Sequence, residues 1–204
     1  MKIIEDVLIR INRSDIFNGT FIIDNDIIEI GEDVFCNCTS LTSVIIPDSV
    51  TSIENFAFYG CTSLKSIKLS KNLIKIGSYV FKNCLFKSIK LPKSLKKIES
   101  SAFEHCHYLK SISIPSIVTK IGNYAFSNCT SLKSVTIPNS VTEIGINAFW
   151  NCQSLTKVND LPCKCIDEYP MIITSQKQVS GYMIYHGYDI NKINSKEKTY
   201  SMVS

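Results

Sequence analysis

Arginine is scarce in this 204-residue chain: Arg10 and Arg13 stand alone against twenty lysines, and there are only three histidines and one tryptophan. Because arginine supplies the planar fork that reads phosphates and guanine edges, a dedicated nucleic-acid reader is not expected. No apolar run approaches the roughly 18–20 residues that cross a bilayer, so no membrane span is expected either. The opening MKIIEDVLIR is broken by Glu5, Asp6 and Arg10, which the apolar core of a secretory signal would not tolerate. The expected location is therefore cytoplasmic, or outside the cell by a non-classical or specialised route. A Gly-rich phosphate loop, a serine nucleophile elbow and a carboxylate pair in a helical frame are all missing. The chain reads as non-enzymatic, without cofactor or metal.

Cysteine, by contrast, is supplied at regular intervals. Cys38, Cys61, Cys84, Cys106, Cys129 and Cys152 are separated by 23, 23, 22, 23 and 23 residues. The single 22 has a visible origin: CTSLKSIKL at Cys61 becomes CLFKSIKL at Cys84. Self-similarity at a fixed period of 20–50 residues is the signature of a solenoid.

Alignment on the cysteines assigns each position a task. Leu41, Leu64, Leu109, Leu132 and Leu155 follow the cysteine by three residues, with Phe86 standing in at the deletion. Val44, Ile67, Ile89, Ile112, Val135 and Val158 come next, and two residues later Ile46, Leu69, Leu91, Ile114 and Ile137. That closing alternation is the period of a strand with one buried face. Pro47, Pro92, Pro115 and Pro138 follow and end it, since proline has no ladder donor. In the second half of each turn, Ile53, Ile76, Ile98, Ile121 and Ile144 precede a column of Phe58, Phe81, Phe103, Phe126 and Phe149, which is expected to be a compact helical turn. A single turn has no second layer, so only stacking on its neighbours buries these side chains. The recurring cysteine is then a small buried hydrophobe. Stacked in parallel about 4.8 Å apart, such cysteines lack the crossed Cβ geometry of a disulfide and are expected to stay reduced.

The phrase NCTSLKSVTIPNSVTEIGINAFWNC, residues 128–152, closely resembles the 23-residue leucine-rich repeat of BspA-like proteins, and the resemblance extends over roughly residues 20–160. It implies an α/β repeat protein: a leucine-rich-repeat solenoid with a parallel concave sheet, short strands, helical turns on the other side and a cap at each end. Members of this family are typically bacterial or protist surface and secreted proteins, and those understood bind other proteins, host matrix proteins among them. The implied role is a protein-binding scaffold in host or cell-surface interaction. The sequence LPCKC at Leu161 is not a wall-sorting motif. The alternatives are a pathogen effector acting inside a host cell and a small catalytic activity confined to residues 160–204.

Three segments are expected. Residues 1–20 form an amphipathic helical cap, because Ile3, Ile4, Val7, Leu8 and Ile11 share one face at helical spacing. Residues 21–159 form a solenoid of about six turns, opening with Ile23 in the place of Ile46. Residues 160–204 hold five of the nine tyrosines and form a divergent cap ending in a polar tail. Cys163 and Cys165, with His186 further on, make a weak C-x-C signal for a zinc site, which needs four ligands; Cys36 and Cys38 form another at the opposite end. His105 and His107 flank Cys106, so a catalytic Cys-His pair is conceivable, but an inward Cys106 among Phe and Leu would be a poor thiolate. The sequons at Asn12, Asn18, Asn37 and Asn128 give no localisation.

Charge supplies the candidate site. Residues 1–60 hold three basic and ten acidic residues, net −7, whereas residues 61–100 hold ten lysines and one glutamate, net +9. In the repeat register Lys65 and Lys87 share one column, Lys68 and Lys90 the next exposed strand position, and Lys71 and Lys93 the turn beyond. Six ammonium groups should meet on two adjacent turns of the concave face. Neighbouring like charges about 5 Å apart in water repel by only about 0.8 kcal/mol, which the fold can sustain. The expected ligand is an acidic protein partner.

Overall fold

A computed structural model describes residues 1–158 and, beyond them, the backbone of three short strands, residues 161–162, 165–166 and 169–170. The chain opens with β1 (Lys2–Ile4) and β2 (Val7–Arg10), then winds through β3 (Thr20–Ile22), β4 (Glu29–Ile30), β5 (Ser43–Ile45), β6 (Ser52–Ile53), β7 (Ser66–Lys68) and β8 (Lys75–Ile76). It continues with β9 (Lys97–Ile98), β10 (Ser111–Ser113), β11 (Lys120–Ile121), β12 (Ser134–Thr136), β13 (Glu143–Ile144) and β14 (Lys157–Val158). The last three strands are β15 (Leu161–Pro162), β16 (Cys165–Ile166) and β17 (Tyr169–Pro170). The solenoid coils offer strands of two or three residues to a front sheet, except the coil that follows Cys84, and two-residue strands to a back sheet. The back sheet runs unbroken in the order β1-β2-β4-β6-β8-β9-β11-β13, whereas the front sheet is divided into β3-β5-β7 and β10-β12-β14-β15. Coils pair in parallel at the 23-residue offset, as in Val44↔Ile67 and Ile112↔Val135.

Between the sheets runs a continuous core. The leucine column from Leu41 to Leu155 is buried, Phe86 is fully buried in its shortened coil, and the column Ile27, Val50, Leu73, Leu95, Val118 and Val141 closes the far corner. Phe35, Phe58, Phe81, Phe103, Phe126 and Phe149 stack as a spine, with centroids 4.7, 5.7, 5.4, 5.2 and 5.3 Å apart in turn. Phe86 meets two of these rings edge-on, Phe81 at 5.8 Å and Phe103 at 6.4 Å.

The third wall overturns the expected helical turns. Among the described residues the only helical element is a 3-10 turn at Arg13–Asp15, so the solenoid is all-β with a wall of turns. Two residues per coil take left-handed backbone four positions apart: Asp33 and Asn37, Phe56 and Gly60, Tyr79 and Asn83, Ser101 and His105, Tyr124 and Asn128, Asn147 and Asn151. An α-helix cannot run through such a residue. The hydrogen bonds show what replaces it. Phe56, Phe58 and Gly60 donate their N–H groups to the carbonyls of Ser78, Val80 and Lys82 in the next coil, while Ala57, Tyr59 and Cys61 bond three residues back. Alternate donors thus serve stacking and local turn closure, leaving none for the i−4 bonds of a helix.

The amino-terminal cap also differs from expectation. Residues 2–10 form an antiparallel hairpin rather than a helix, and β2 pairs in parallel with β4, adding the hairpin to the back sheet. Glu5 and Asp6 take φ of 48° and 61°, the geometry of a two-residue hairpin turn. Ile3, Ile4, Val7, Ile9 and Ile11 are β-branched and fit a pleated surface better than a helix. The spacing that suggested a helical face had this second solution, and Leu8, fully buried, anchors it.

Candidate functional site

On the front face the side chains alternate inward and outward. Val44 points to the core while Ile45 is exposed; one coil on, Lys68 takes the position of Ile45, and the outward column reads Ile22, Ile45, Lys68. Lys90 follows, exposed, in the coil of the deletion, and Ser113 and Thr136 complete the row. The preceding column holds Lys65 and Lys87, both exposed, but does not stop there: Lys110 and Lys133 continue it, tied by Lys110 N–H to the Lys87 carbonyl (3.1 Å) and Lys133 N–H to the Lys110 carbonyl (2.8 Å). Both lie beyond residues 61–100, the most basic window of the sequence. Counting four residues from Cys106 and Cys129 finds them directly.

Lys71 and Lys93 lie on the ridge that joins the two sheets, both exposed. Lys71 is already paired: its ammonium meets Asp48 at 2.9 Å, and its N–H reaches the same carboxylate at 3.0 Å. Those two bonds, with a contribution from Lys68, hold the Asp48 carboxyl below its ordinary value. Lys65, Lys68, Lys87 and Lys90 are therefore exposed on two successive coils of the front face, and Lys71 stands apart as a partly neutralised neighbour. The back sheet handles its charge differently. Lys75 pairs with Glu54 at 2.6 Å and Lys120 with Glu143 at 2.7 Å, whereas Lys97, in the strand between them, has no ion pair among the described residues.

The ladder thiols face the core. Cys61, Cys84, Cys106, Cys129 and Cys152 are buried, and each Sγ donates to the carbonyl of a spine phenylalanine in the coil before, Phe35, Phe58, Phe81, Phe103 and Phe126, at 3.0–3.4 Å. Burial pushes the Cys61 thiol up to about 12 and raises those of Cys84, Cys106 and Cys129 well above the usual range. Cys38, at the first coil, is only half-buried. The hydrogen-bonding role was invisible in the sequence, where cysteine read simply as a small apolar filler. His105 does not complete a pair with Cys106: it is half-buried on the turn wall, 3.4 Å from the Glu104 carboxylate and 3.5 Å from Asn128 Nδ2, and burial lowers its pKa. His107 lies instead against Thr130, at 3.4 Å. No group of His, Cys, Asp and Glu suited to a metal occurs among the described residues; Cys163, Cys165 and His186 lie outside those whose side chains are described.

Comparison with known proteins bears on the whole arrangement. No curated protein sequence matches the chain. Among solved structures, the leucine-rich repeat protein of T. pallidum is 32% identical with a TM-score of 0.68, the match covering 70% of this chain and 70% of that one. A leucine-rich repeat protein from Bacteroides ovatus is 36% identical (TM-score 0.66; 71% of this chain, 39% of that one). A leucine-rich cell surface protein from Faecalibacterium prausnitzii is 31% identical (TM-score 0.56; 77% and 52%). This chain thus spans well under two thirds of the latter two. Six copies of the BspA-type leucine-rich repeat match residues 20–159, the same stretch over which the cysteine rungs, phenylalanine spine and paired strands recur, and the chain belongs to the BspA-type leucine-rich repeat family.

Proposed function

We propose that the chain is a non-enzymatic protein-interaction module that engages an acidic surface of a partner protein through its front strand face, in contacts at a cell surface or with a host. The observation that carries this reading is the front cluster of Lys65, Lys68, Lys87 and Lys90, exposed side by side and extended by Lys110 and Lys133. Two back-sheet lysines, Lys75 and Lys120, are offset by adjacent carboxylates, so most of the uncompensated charge faces forward. Backbone hydrogen bonds tie Lys87, Lys110 and Lys133 in successive coils, at about the 4.8 Å spacing of paired strands, giving a row of charge that steers an acidic partner and sets its orientation. The buried, protonated thiols leave the cysteine ladder to structural work. The likeness to a cell surface protein of F. prausnitzii supports the setting.

The test begins with cross-linking mass spectrometry to identify a partner, followed by association kinetics with the purified pair. The double variant Lys68→Glu/Lys90→Glu is expected to associate about tenfold more slowly at low salt, with a flatter salt dependence. An unchanged on-rate at low salt would place the binding face elsewhere.

A further inference from the structure

The front sheet is interrupted at one place, inside the lysine cluster. Residues 85–91 belong to neither β7 nor β10, although the back sheet passes directly from β8 to β9. At regular junctions the strand closes with a bond from the residue after it, as in Ile23 N–H to the Ile45 carbonyl, Ile46 to Lys68 and Ile114 to Thr136. The corresponding N–H groups of Leu69 and Leu91 make no such bond among the described residues. The N–H groups of Lys87, Ser88, Ile89 and Lys90 are likewise bonded to no described group. Only Leu85 N–H to the Leu64 carbonyl and Lys110 N–H to the Lys87 carbonyl cross these junctions on the front.

The missing residue explains the gap. With one position fewer between Cys84 and Ile89, Phe86 has to serve as the core side chain, and its ring is drawn in between Phe81 and Phe103. Ile89 and Leu91 still point inward while Ser88 and Lys90 point outward. The alternation of side chains is kept, but the backbone has left the ladder. Peptide donors that other coils spend on their neighbours are here open, on exposed residues, with Lys65 and Lys68 on one side and Lys110 on the other.

We propose that this gap is an anion subsite, in which the N–H groups of Lys87, Ser88 and Lys90 and the Ser88 hydroxyl receive side-chain carboxylates of an acidic polypeptide segment drawn in by the surrounding lysines. It rests on the reading of the front face as the binding face and deepens it. Lysine alone is a mobile point charge. Fixed backbone donors add direction, and a carboxylate accepting from them makes charge-assisted bonds stronger than those of the water it displaces. A regular coil has the lysines but commits the N–H groups of its strand residues to the neighbouring coil, so this one coil differs in chemistry as well as in length.

The experiment replaces Leu85-Phe86 with Thr-Ser-Leu, which rewrites the short coil as the Cys61 phrase without changing any charge. The probe is a fluorophore-labelled hexaglutamate peptide, titrated at low salt by fluorescence anisotropy. The wild type is expected to bind about tenfold more tightly than the repaired coil. Equal affinity of the two folded proteins overturns the subsite and leaves the lysine face standing; failure of the probe to bind either overturns both. If the repaired coil does not fold, amide shifts in the wild type decide. Hexaglutamate should then move the N–H resonances of residues 87–90 well beyond those of residues 111–113, and equal or absent shifts refute the proposal.

Discussion

Truncating Phe86 to alanine strikes the coil where packing has least help from hydrogen bonding. The ring is fully buried and lies edge-on to two spine phenylalanines, at 5.8 Å and 6.4 Å. Loss of a buried phenylalanine costs about 3–5 kcal/mol, the cavity included, of which each edge-to-face pair accounts for about 0.5–1.5 kcal/mol. In a regular coil the neighbouring ladder would hold the walls and keep the cavity open. Around residues 85–91 the front ladder is absent among the described residues, so the walls can close in and the lower half of that range, about 3–4 kcal/mol, is expected. With a urea slope of about 2 kcal/mol/M for a protein of this size, the midpoint should fall by about 2 M. Unfolding should be followed both by circular dichroism and by the single tryptophan, Trp150, because stacked coils can melt in parts. Phe17→Ala is the control: its ring is 78% exposed, and its loss should cost under about 0.5 kcal/mol. A cost below about 1 kcal/mol for Phe86→Ala would refute the assignment of Phe86 as the substitute for the missing leucine.

Other expectations follow from the rungs and the turn wall. Alkylation of unreduced, denatured protein should label all six of Cys38, Cys61, Cys84, Cys106, Cys129 and Cys152, and in the native state Cys38 should react far ahead of the buried five; labels mapped to fewer than six of these cysteines in denaturant would reveal a bridge. Cys61 keeps its proton in the fold up to about pH 12, whereas the unfolded thiol loses it near 9.0. Its stabilisation is therefore complete below about pH 9 and is lost between about 9 and 12, at about 1.4 kcal/mol per pH unit. Urea midpoints of Cys61→Ser should fall less steeply over that window, and parallel curves would clear the thiol. Gly60 has φ +67, and a Cβ there would meet Asn37 Oδ1. Gly60→Val is expected to lose about 1–2 kcal/mol, whereas Gly60→Asn, matching Asn37 and Asn83 in the same column, should stay within about 0.5 kcal/mol; equal thermal shifts for the two would show that backbone hand does not limit this site.

The period and the inward columns were legible because both are one-dimensional properties. A cysteine every 23 residues and an alternation ending in Ile46 or Ile114 need no knowledge of the third dimension. The turn wall was misread because Ile53, Phe58 and Cys61 lie at separations that a helix or a turn can equally present inward. The distinguishing signal was there in Asn37, Asn83, Asn128 and Asn151, a column of the residue that, after glycine, best tolerates left-handed backbone. At the amino terminus, helical spacing outweighed the β-branched character of Ile3, Ile4 and Val7. The lysine register followed from the same alignment as the core. What alignment could not supply was the state of the backbone at residues 87–90: a deletion announces that something shifts, but whether side chains or hydrogen bonds give way depends on how large a ring must be accommodated.

The turn wall has one more property, which is its polarity. Asp33, Phe35 and Asn37 donate to Asn55, Ala57 and Tyr59, and each later coil repeats this to the one after it, as far as Tyr124, Phe126 and Asn128 bonding to Ile146, Ala148 and Trp150. Every peptide in these three files points its N–H toward higher sequence numbers. Peptide dipoles of about 3.5 D each are thereby aligned along the solenoid axis, in the sense opposite to an α-helix, with the positive end at the later coils. Bonds in such files polarise one another, so the stack has an electrical direction as well as a mechanical one, and a coil inserted anywhere along it lengthens both.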